Sequence, residues 1–490
     1  MKRTSNLLLI VALLGTVAWS AAVPDWSAGS AHDIKAIGAY LMADDVSAEG
    51  LAALDTALPG QAVACTAGVA GPYGCDDVDL LGLVPLAGLG GALGNDSWGW
   101  TSADGQEIAI MGTGRNTAFV DVTDPTSPAV IAQLPNAGGD RDEPDGALWR
   151  DVKVNNDHAY IVSERGGGLQ IVDLNALVEL PADPTRIIAA DATWTGGTGA
   201  FALDGFHNLV INEETDTAFL VGVDAFNGRG MFIVDIADPL APAFSGRFDH
   251  GLTVHDAQCT IYRGPDTDYN GSYAHGDADG DPSNGTQAEL CFTFDEDEIN
   301  IVDVTNNAQP TIINTIDYVN RNGAGTVGTD NGVTGFYAHQ GWLSRNHDFL
   351  IWGDELDELN TRVGALTGGT TTYWVELADL DAKDAEGSFN GADVTAYAHD
   401  TLATDHNLYV VDDLIFQANY TAGLRVLRYT EDGLRNGELE EVGYFDVDPG
   451  VDAPGFSGAW NVYPFFDSGT IVVSTLDEGL FVLDFTGDDG

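Results

Sequence analysis

Short apolar strands that close on Val-Asp or a near variant alternate with polar turns along most of the chain. The copies begin at Ala118 (AFVDV), Gly168 (GLQIVD), Gly230 (GMFIVD), Glu298 (EINIVD), Ala422 (AGLRVL) and Glu478 (EGLFVLD). Their spacing of roughly 40 to 60 residues is typical of a structural repeat, in which each copy is one supersecondary unit. The pattern therefore predicts a repeat protein built from β-strands.

Each repeat also contains strands upstream of the Val-Asp strand, and the first of these begins with a polar or aromatic signature. The seven signatures start at Trp98, Trp149, Phe206, Val254, Ala338, Asp405 and Ala459. The 60 glycines and the frequent Asp, Asn and Pro turns favour short strands over helices. Because four antiparallel strands per repeat are typical of a propeller and not of a solenoid, we predict an all-β fold. The specific prediction is a seven-bladed β-propeller of four-stranded antiparallel blades.

The last repeat contains three strands and lacks the fourth. The segment LLGLVPLAG, from Leu80 to Gly88, resembles the fourth strands of other repeats. An N-terminal strand that completed the last blade would remove the open sheet edges at the closure. We therefore predict a propeller over residues 79–490. Residues 23–78 are predicted to form an N-terminal segment with a local disulfide and one short helix between Ala39 and Ala57.

Residues 1–22 have the features of an export signal. Lys2 and Arg3 precede an apolar run that is too short to span a bilayer, and small residues follow from Ser20 to Ala22. The C-terminal sequence FTGDDG offers no apolar anchor. We expect a secreted protein, in the medium, at the cell surface or in the periplasm, with no transmembrane segment after the signal is removed. We expect it to be a monomer.

In an oxidising compartment, the four cysteines are expected to form disulfides. Cys65 and Cys75 are close in a Gly/Pro-rich stretch, and Cys259 and Cys291 flank a polar insertion. Of the three possible connectivities, pairing between sequence neighbours is predicted, which gives two local disulfides. Free thiols or a metal–thiolate site are the alternative, which the lack of a C-x-x-C spacing disfavours.

The charge of the chain is strongly negative, with 19 Lys+Arg against 76 Asp+Glu and a formal net charge of −57. Such a surface repels nucleic acid and anionic lipid. The scattered acidic residues indicate a halophilic surface, on which salt screens the self-repulsion. Specific calcium binding is the rival explanation. Asp277, Asp279 and Asp281 have the spacing of a calcium loop, although Pro282 stands where that loop usually needs glycine.

Several motifs together resemble one known family. They are LWRDVKV, FHNLVINEET, VHDAQC with IYRGPDTDY, AHQGWL followed by DELDE, DHNLYV, QANYTAGLRVL and AWNVYPFF, and they extend from about Cys65 to Phe485. The sequence resembles the choice-of-anchor B proteins, which are built from LVIVD repeats. This resemblance implies an exported or surface-attached propeller and implies no particular chemistry. The chain departs from the family in showing no anchor and in carrying the DADGD insertion.

Four histidines occupy equivalent positions at the start of consecutive repeats. Because the first strand of each blade lines the central channel, these positions form a ring about one axis. Successive residues of a strand point to opposite sides, so either the histidines or their neighbours face the channel. The histidines are His207, His255, His339 and His406, and the neighbouring or equivalent positions are Asp151, Asn208, Asp256, Gln340, Asn407 and Asn461.

Two interpretations of this ring remain open. Neutral imidazoles on a rigid ring can bind zinc or copper, with Asp256 as a further ligand and the adjoining amides in support. Alternatively, each histidine hydrogen-bonds the backbone of the next blade and braces the ring. Repetition across the blades favours the bracing role, because a ligand site needs only a few blades to differ.

A cluster of acids follows the apolar strand FLIWG. Asp354, Glu355, Asp357 and Glu358 lie at the strand end, where a carboxylate can bind a cation or act as a general base. In so acidic a chain, a solvated turn is the favoured interpretation of this cluster. The sequence contains no G-x-S-x-G, H-E-x-x-H, phosphate-loop or haem-attachment motif.

The absence of such motifs favours a binding or interaction module over an enzyme. Its ligand would be a protein, a glycan or a small molecule. The alternative is a metal-dependent enzyme, such as an oxidase or hydrolase, with a His-lined site in the channel. No cofactor is certain, and a divalent calcium, zinc or copper ion is the candidate.

Overall fold

The computed structural model describes residues 62–91, 93–138, 149–196, 205–223, 229–270, 287–296, 298–316, 337–358, 369–383, 389 and 394–487. The predicted signal, the predicted helix and the predicted calcium loop at Asp277, Asp279 and Asp281 lie outside these residues. Within them, no helix combines the length and apolar character needed to cross a membrane.

Three strands precede the first blade, and two blades later in the chain incorporate them. They are β1 (Val69–Ala70), β2 (Tyr73–Asp76) and β3 (Val78–Pro85). The short helix α1 (Leu86–Leu89) follows β3 and ends at Gly90, which has a left-handed backbone with φ of 77°. Glycine adopts this conformation without a steric penalty, so the chain can turn sharply into blade 1.

Blades 1 to 4 each consist of four strands that are consecutive in sequence and pair in antiparallel fashion. Blade 1 contains β4 (Gly94–Thr101), β5 (Glu107–Thr113), β6 (Asn116–Asp121) and β7 (Ala129–Pro135). Blade 2 contains β8 (Arg150–Asn155), β9 (His158–Ser163), β10 (Leu169–Asp173) and β11 (Ala192–Trp194), with helix α2 (Leu174–Val178) after β10. Blade 3 contains β12 (Asn208–Asn212), β13 (Thr217–Val221), β14 (Arg229–Asp235) and β15 (Ala243–Thr253). Blade 4 contains β16 (Asp256–Ile261), β17 (Glu289–Phe294), β18 (Ile299–Asp303) and β19 (Thr311–Ile316).

Blades 5 to 7 complete the ring and incorporate the N-terminal strands. Blade 5 contains β20 (Ala338–Leu343), β21 (Phe349–Asp354), β22 (Thr371–Glu376) and β23 (Thr395–Ala398). Blade 6 contains β24 (Leu408–Val411), β25 (Leu414–Ala418), β26 (Leu424–Arg428) and β27 (Glu440–Phe445), with helix α3 (Glu431–Arg435) before β27. Blade 7 contains β28 (Ala459–Tyr463), β29 (Thr470–Thr475) and β30 (Gly479–Phe485), and β3 pairs with β30 as its fourth strand. The predicted seven-bladed propeller and its closure by an N-terminal strand are confirmed.

The first strand of every blade lies innermost and contacts the first strand of the next blade, including β28 of blade 7 against β4 of blade 1. Apolar residues from each pair of neighbouring blades form a separate core layer between them. Phe219 and Val302, for example, pack in the layer between blades 3 and 4. The stability of the ring therefore depends on contacts between blades, because a single sheet cannot bury both of its faces.

Both predicted disulfides are confirmed. Cys65 is bonded to Cys75, and Cys259 to Cys291. Cys259 and Cys291 lie directly opposite each other on the antiparallel strands β16 and β17. The loop closed by Cys65–Cys75 contains β1 and most of β2, and these two strands extend the outer edge of blade 6 beyond β27. The sequence analysis did not predict these two edge strands.

Candidate metal centre in the channel

Four imidazole rings pack against one another in sequence at the end of the channel where the inner strands begin. His207, His255, His339 and His406 come from blades 3 to 6, and the centroids of adjacent rings lie 4.4, 4.4 and 4.2 Å apart. All four side chains are buried. The structure thus brings together the histidines that the sequence places at equivalent positions. We call this the histidine end of the channel.

The backbone explains why these rings leave the regular strand pattern. In blade 5, a β-bulge between Ala338 and Gln340 leaves His339 without a partner in the ladder. A bulge re-aims the side chain of the extra residue, which is why bulges recur next to functional sites. His207 and His255 immediately precede their strands and His406 lies two residues before its strand, where the ladder has not yet begun.

The hydrogen bonds of two rings fix which nitrogen carries the proton. Nδ1 of His255 lies 3.1 Å from the carbonyl oxygen of His339, and Nδ1 of His406 lies 2.5 Å from that of Trp460 in the next blade. Since a carbonyl oxygen can only accept, both Nδ1 atoms donate. Each neutral ring therefore keeps the lone pair on Nε2, the arrangement found in metal-ligating histidines.

Glu355 completes a group of three metal-ligating side chains. Its Oε2 lies 3.6 Å from Nε2 of His339, and its Oε1 lies 3.7 Å from Nε2 of His406. The three ligand atoms all lie within 4.8 Å of one another, and all three residues are buried. Both distances are too long for a hydrogen bond. Two imidazoles and one carboxylate thus face a common point between blades 5 and 6.

The acidic cluster that contains Glu355 is buried, so the expectation of a solvated turn is wrong. Both carboxylate oxygens of Asp354 accept the backbone N–H of Tyr337 at 2.8 Å. Asp357 accepts the hydroxyl of Tyr373 at 2.8 Å, and Glu358 accepts a backbone N–H. Local donors thus hold these three carboxylates in place, whereas Glu355 faces the histidines.

Burial in the channel sets the protonation states. It raises the pKa of Glu355 to about 7, although the hydrogen bond from Tyr420 and the nearby His207 oppose this shift. Burial lowers the pKa of His406 to about 3 and also depresses those of His255 and His339. At neutral pH these three imidazoles are therefore uncharged and able to bind a metal.

His207 differs from the other three histidines. Burial opposes its charged form, but its Nδ1 lies 2.5 Å from Oε1 of Glu164, and this carboxylate outweighs the burial and raises the pKa of His207. A protonated imidazole is not a metal ligand. The raised pKa of His207 therefore disfavours metal binding at that ring, whereas the lowered pKa values of His339 and His406 favour the neutral, ligating form.

Apolar side chains cover the part of the histidine end that the histidines do not line. Tyr420, Phe456, Trp460 and Leu476 form a buried cluster against which Leu356 packs. The side chain of Glu355 is accordingly only 11% exposed. Low water content strengthens every electrostatic interaction inside the site.

Two of the histidines, His255 and His406, make the predicted bracing hydrogen bond to the backbone of the next blade, and the neighbouring polar residues brace the ring as well. All of these neighbouring residues except Asp256 hydrogen-bond the next blade. Oδ2 of Asp151 accepts from Leu209 N at 2.7 Å, Asn208 donates to His255 O at 3.3 Å, Gln340 Oε1 accepts from Leu408 N at 2.8 Å, and Asn407 donates to Asn461 Oδ1 at 3.1 Å. Asn461 donates in turn to Asp96 and to Ser97 O in blade 1. Bracing and metal binding are thus compatible. The neighbouring residues and the Nδ1 atoms of His255 and His406 brace the ring, whereas the Nε2 atoms of His339 and His406 face Glu355.

Asp256 does not join the group formed by His339, Glu355 and His406. Its carboxylate instead interacts with the ammonium of Lys153 and with Asp151, deeper in the channel. Lys153 in turn contacts Asp151 Oδ1 at 2.5 Å. The expectation that Asp256 is a ligand alongside the histidines is therefore not supported by its position.

Sequence reasoning named Glu355 as a possible cation ligand but missed Glu164, Glu296 and Tyr420, which also surround the rings. Glu164, Glu296, Glu355 and Tyr420 all lie within two residues of the end of the second strand of their blades. The pairs Ser-Glu, Asp-Glu, Asp-Glu and Asn-Tyr at these positions were the available signal. Aligning the ends of the second strands would have revealed these residues as a second set of equivalent positions beside the histidine ring.

A second group of metal-ligating side chains consists of His250, Asp295 and Glu298. The amide of Asn300 lies between them, donating to Asp295 at 2.6 Å and to Glu298 at 2.9 Å and lying 3.4 Å from His250 Nε2. The amide thus occupies the position that a cation would take. This group is better explained as a hydrogen-bonded structural cluster.

The LVIVD repeat model matches residues 149–185 and 225–250, which contain β8 to β10 and β14. No curated protein matches the sequence. The chain is similar to a protein of solved structure from Lactobacillus plantarum, with 11% identity, a TM-score of 0.42 and coverage of 78% of this chain and 88% of that one. It is also similar to the Cps50 (Swd1) β-propeller domain of Myceliophteria thermophila, with 10% identity, a TM-score of 0.42 and coverage of 80% and 97%. A chain of the mitotic checkpoint complex has 12% identity, a TM-score of 0.45 and coverage of 88% and 92%.

Proposed function

We propose that the protein is an exported β-propeller binding module that holds one divalent transition metal at the histidine end of its channel. The observation that carries this proposal is the convergence of the Nε2 atoms of His339 and His406 on the two oxygens of Glu355. A bound metal would link blades 5 and 6 directly.

The spacing of the ligand atoms supports a metal. With metal–ligand distances of about 2.1 Å, a tetrahedral site places neighbouring ligand atoms about 3.4 Å apart. The observed Nε2–oxygen separations of 3.6 Å for His339 and 3.7 Å for His406, each to a different oxygen of Glu355, are close to this value. Small side-chain movements would complete the site, because both imidazoles are already held in place. The ring of His406 is held by the hydrogen bond of its Nδ1, and the ring of His339 packs between those of His255 and His406.

The ligand types support a transition metal and argue against calcium. Imidazole nitrogen suits zinc, copper, iron and nickel, whereas calcium takes six to eight oxygen ligands. His339 and His406 supply two nitrogens and Glu355 one carboxylate. Zinc and copper are therefore the first candidates.

The exported location is supported by two disulfides within the described residues. Disulfides persist in oxidising compartments and are rare in the cytosol. The resemblance to the choice-of-anchor B proteins and the signal-like start of the sequence point to the same location.

Metal analysis of the protein purified without chelators tests the proposal. We expect about one zinc or copper ion per chain. His339→Ala should abolish binding. His158→Ala is the matched control, because His158 lies at the start of β9, away from the histidine end, and its Nδ1 contacts Asn156 O. Equal metal content in the two variants, or no binding by the chelator-treated wild type on titration with zinc and copper, would refute the proposal.

A metal-dependent enzyme is the second candidate function. The three protein ligands leave at least one coordination position open, as in catalytic zinc sites and unlike closed structural ones. Cobalt substitution tests this, because the visible spectrum of bound cobalt reports coordination. Azide should change that spectrum if the open position accepts an external ligand. A spectrum that azide leaves unchanged would contradict the enzyme.

A further inference from the structure

A cavity of about 320 Å³ opens at the end of the channel opposite the histidines. One wall is aromatic and consists of Trp98, Trp342, Tyr409, Tyr463 and Phe465, which come from blades 1, 5, 6 and 7. We call these five residues the aromatic wall. The volume lies in the range of small-molecule sites.

The aromatic wall is rigid because its rings pack on one another. Trp98 meets Tyr463 edge-to-face at 5.1 Å, and Trp342 meets Tyr409 in the same way at 5.1 Å. Phe465 packs against both tryptophans. Trp98, Trp342 and Phe465 are only half-buried, so part of their ring surface faces the cavity. The wall therefore presents a fixed apolar surface to a ligand.

Two glutamines supply hydrogen-bond donors to the same cavity. Oε1 of Gln258 accepts the backbone N–H of Leu343 at 2.7 Å, and Oε1 of Gln340 accepts that of Leu408 at 2.8 Å. These bonds fix which end of each amide is oxygen. Within the described residues neither Nε2 group makes a hydrogen bond, and both glutamines line the cavity. Their N–H groups are therefore available to a ligand.

The charged groups of the cavity compensate one another. Lys153 is paired with Asp151 and lies over the ring of Trp98, with Nζ 4.6 Å from the centroid. Asp256 accepts the backbone N–H of Ala257 through Oδ1, which leaves Oδ2 as an acceptor. Burial raises the pKa of Asp256 to about 7, against the influence of Lys153. The interior therefore offers donors and acceptors with little net charge.

The surroundings repel anions, and a cationic side chain already lies over one ring of the aromatic wall. Glu213 and Glu214 are exposed at the cavity, and the chain carries a net charge of −57, so anions are repelled. Organic cations are usually bound over aromatic rings, but here the ammonium of Lys153 already lies over Trp98. A cation stacked on Trp98 would have to compete with Lys153 for that ring.

We propose that this cavity binds a neutral sugar of one or two rings. The apolar face of a pyranose would stack on the aromatic wall, and its hydroxyls would accept from Gln258 and Gln340 and donate to Asp256. A sugar combines an apolar face with hydroxyls that both donate and accept, which matches the two kinds of surface that the cavity presents. This site is independent of the proposed metal centre, so sugar binding should persist after treatment with chelator.

Isothermal titration calorimetry on the chelator-treated protein tests the proposal. The probes are glucose, N-acetylglucosamine, maltose, cellobiose, lactose and chitobiose, with choline and citrate as charged competitors. We expect at least one neutral sugar to bind saturably below about 10 mM. No binding by any of the six sugars would overturn the proposal, as would competition by choline or citrate at equal concentration.

Gln258→Glu is the decisive variant. It keeps the oxygen that accepts from Leu343 and replaces the donor group with a second acceptor, so the fold should be retained while sugar affinity falls about tenfold. Gln309→Glu makes the same chemical change at an exposed turn and should leave affinity unchanged. Trp342→Leu should also weaken binding by removing stacking surface. Equal affinity of Gln258→Glu and Gln309→Glu would place the sugar elsewhere and refute the site.

Discussion

The hydroxyl of Tyr420 in blade 6 donates a hydrogen bond of 2.7 Å to Oε1 of Glu355 in blade 5. Tyr420 has a positive φ of 35°, an uncommon conformation for a residue with a side chain. Its backbone is held by reciprocal hydrogen bonds with Ala459 of blade 7, at 3.1 and 2.9 Å. Such strain persists only where the surroundings over-determine the conformation. The strained position directs the phenol at the carboxylate of the candidate metal centre.

Tyr420→Phe should weaken metal binding in a pH-dependent way. The hydrogen bond from Tyr420 favours the charged form of Glu355 and so lowers its pKa. Without it the pKa rises further, and the metal must displace a proton over a wider pH range. We expect a larger loss of affinity at about pH 6 than at about pH 8, and a loss of stability of about 1 to 2 kcal/mol.

Metal titrations of both proteins at these two pH values, with urea unfolding for stability, check this prediction. Tyr262→Phe is a matched control, since it also removes a buried hydroxyl, one that lies 3.4 Å from Leu377 O and away from the metal centre. The control should lose stability and keep its metal affinity. An affinity loss in Tyr420→Phe that does not change with pH would contradict the proposed role.

The unfolding free energy of the metal-free protein should depend on pH through the titration of Glu355. Its pKa is raised from the ordinary 4.5 to about 7, so between these values the folded state binds more protons than the unfolded state. Stability from this group is therefore present at low pH and is lost as pH rises through about 7. The contribution amounts to about 3 kcal/mol.

Glu355→Gln removes this titration. Relative to the variant, the chelator-treated wild type should lose about 3 kcal/mol of unfolding free energy between about pH 4.5 and pH 7.5. Urea unfolding of both proteins across this range measures the difference. An exposed glutamate, Glu440, provides the control variant Glu440→Gln. Parallel pH profiles for wild type and Glu355→Gln would show that Glu355 does not titrate in this range.

The sequence predicted the blades well because each repeat carries the same local pattern. Strands such as β10, β14 and β18 are apolar and end in Asp, and they are preceded and followed by clear turns. The closing strand β3 was recognisable because it resembles other fourth strands. In contrast, β1 has two residues and β2 four. Segments this short contain too few positions to show a period.

The metal centre was only partly predictable. The equivalent positions of the histidines follow from the repeat, whereas the burial of Glu355 does not. In a chain with 76 acidic residues, nothing local distinguishes a buried carboxylate from a solvated one. Glu355 is covered by an apolar cluster that includes Phe456, Trp460 and Leu476, about a hundred residues further along the chain. Only the closed ring brings them together.

The two disulfides should stabilise the fold to different extents. Cys259–Cys291 closes a loop with a sequence separation of 32 and Cys65–Cys75 one of 10. On the chain-entropy model these loops contribute about 4 and about 3 kcal/mol. Replacing both members of a pair by Ala should therefore cost about 1 kcal/mol more for Cys259–Cys291 than for Cys65–Cys75. Urea unfolding of the two double variants measures this, and a larger loss for the Cys65–Cys75 pair would show that strain or local packing outweighs loop entropy.

Salt should stabilise the protein well beyond ordinary ionic strength. The net charge of −57 is spread along the chain, and few cations offset it, so self-repulsion opposes the folded state until ions screen it. We expect the melting temperature to rise steadily with either NaCl or KCl up to about 2 M, with no preference between the two cations. Specific calcium binding predicts a different curve, which saturates at millimolar calcium and is lost in Asp279→Ala. Thermal melts of wild type and Asp279→Ala in both series separate the explanations. A saturating calcium response that the variant lacks would replace the halophilic interpretation with a calcium site.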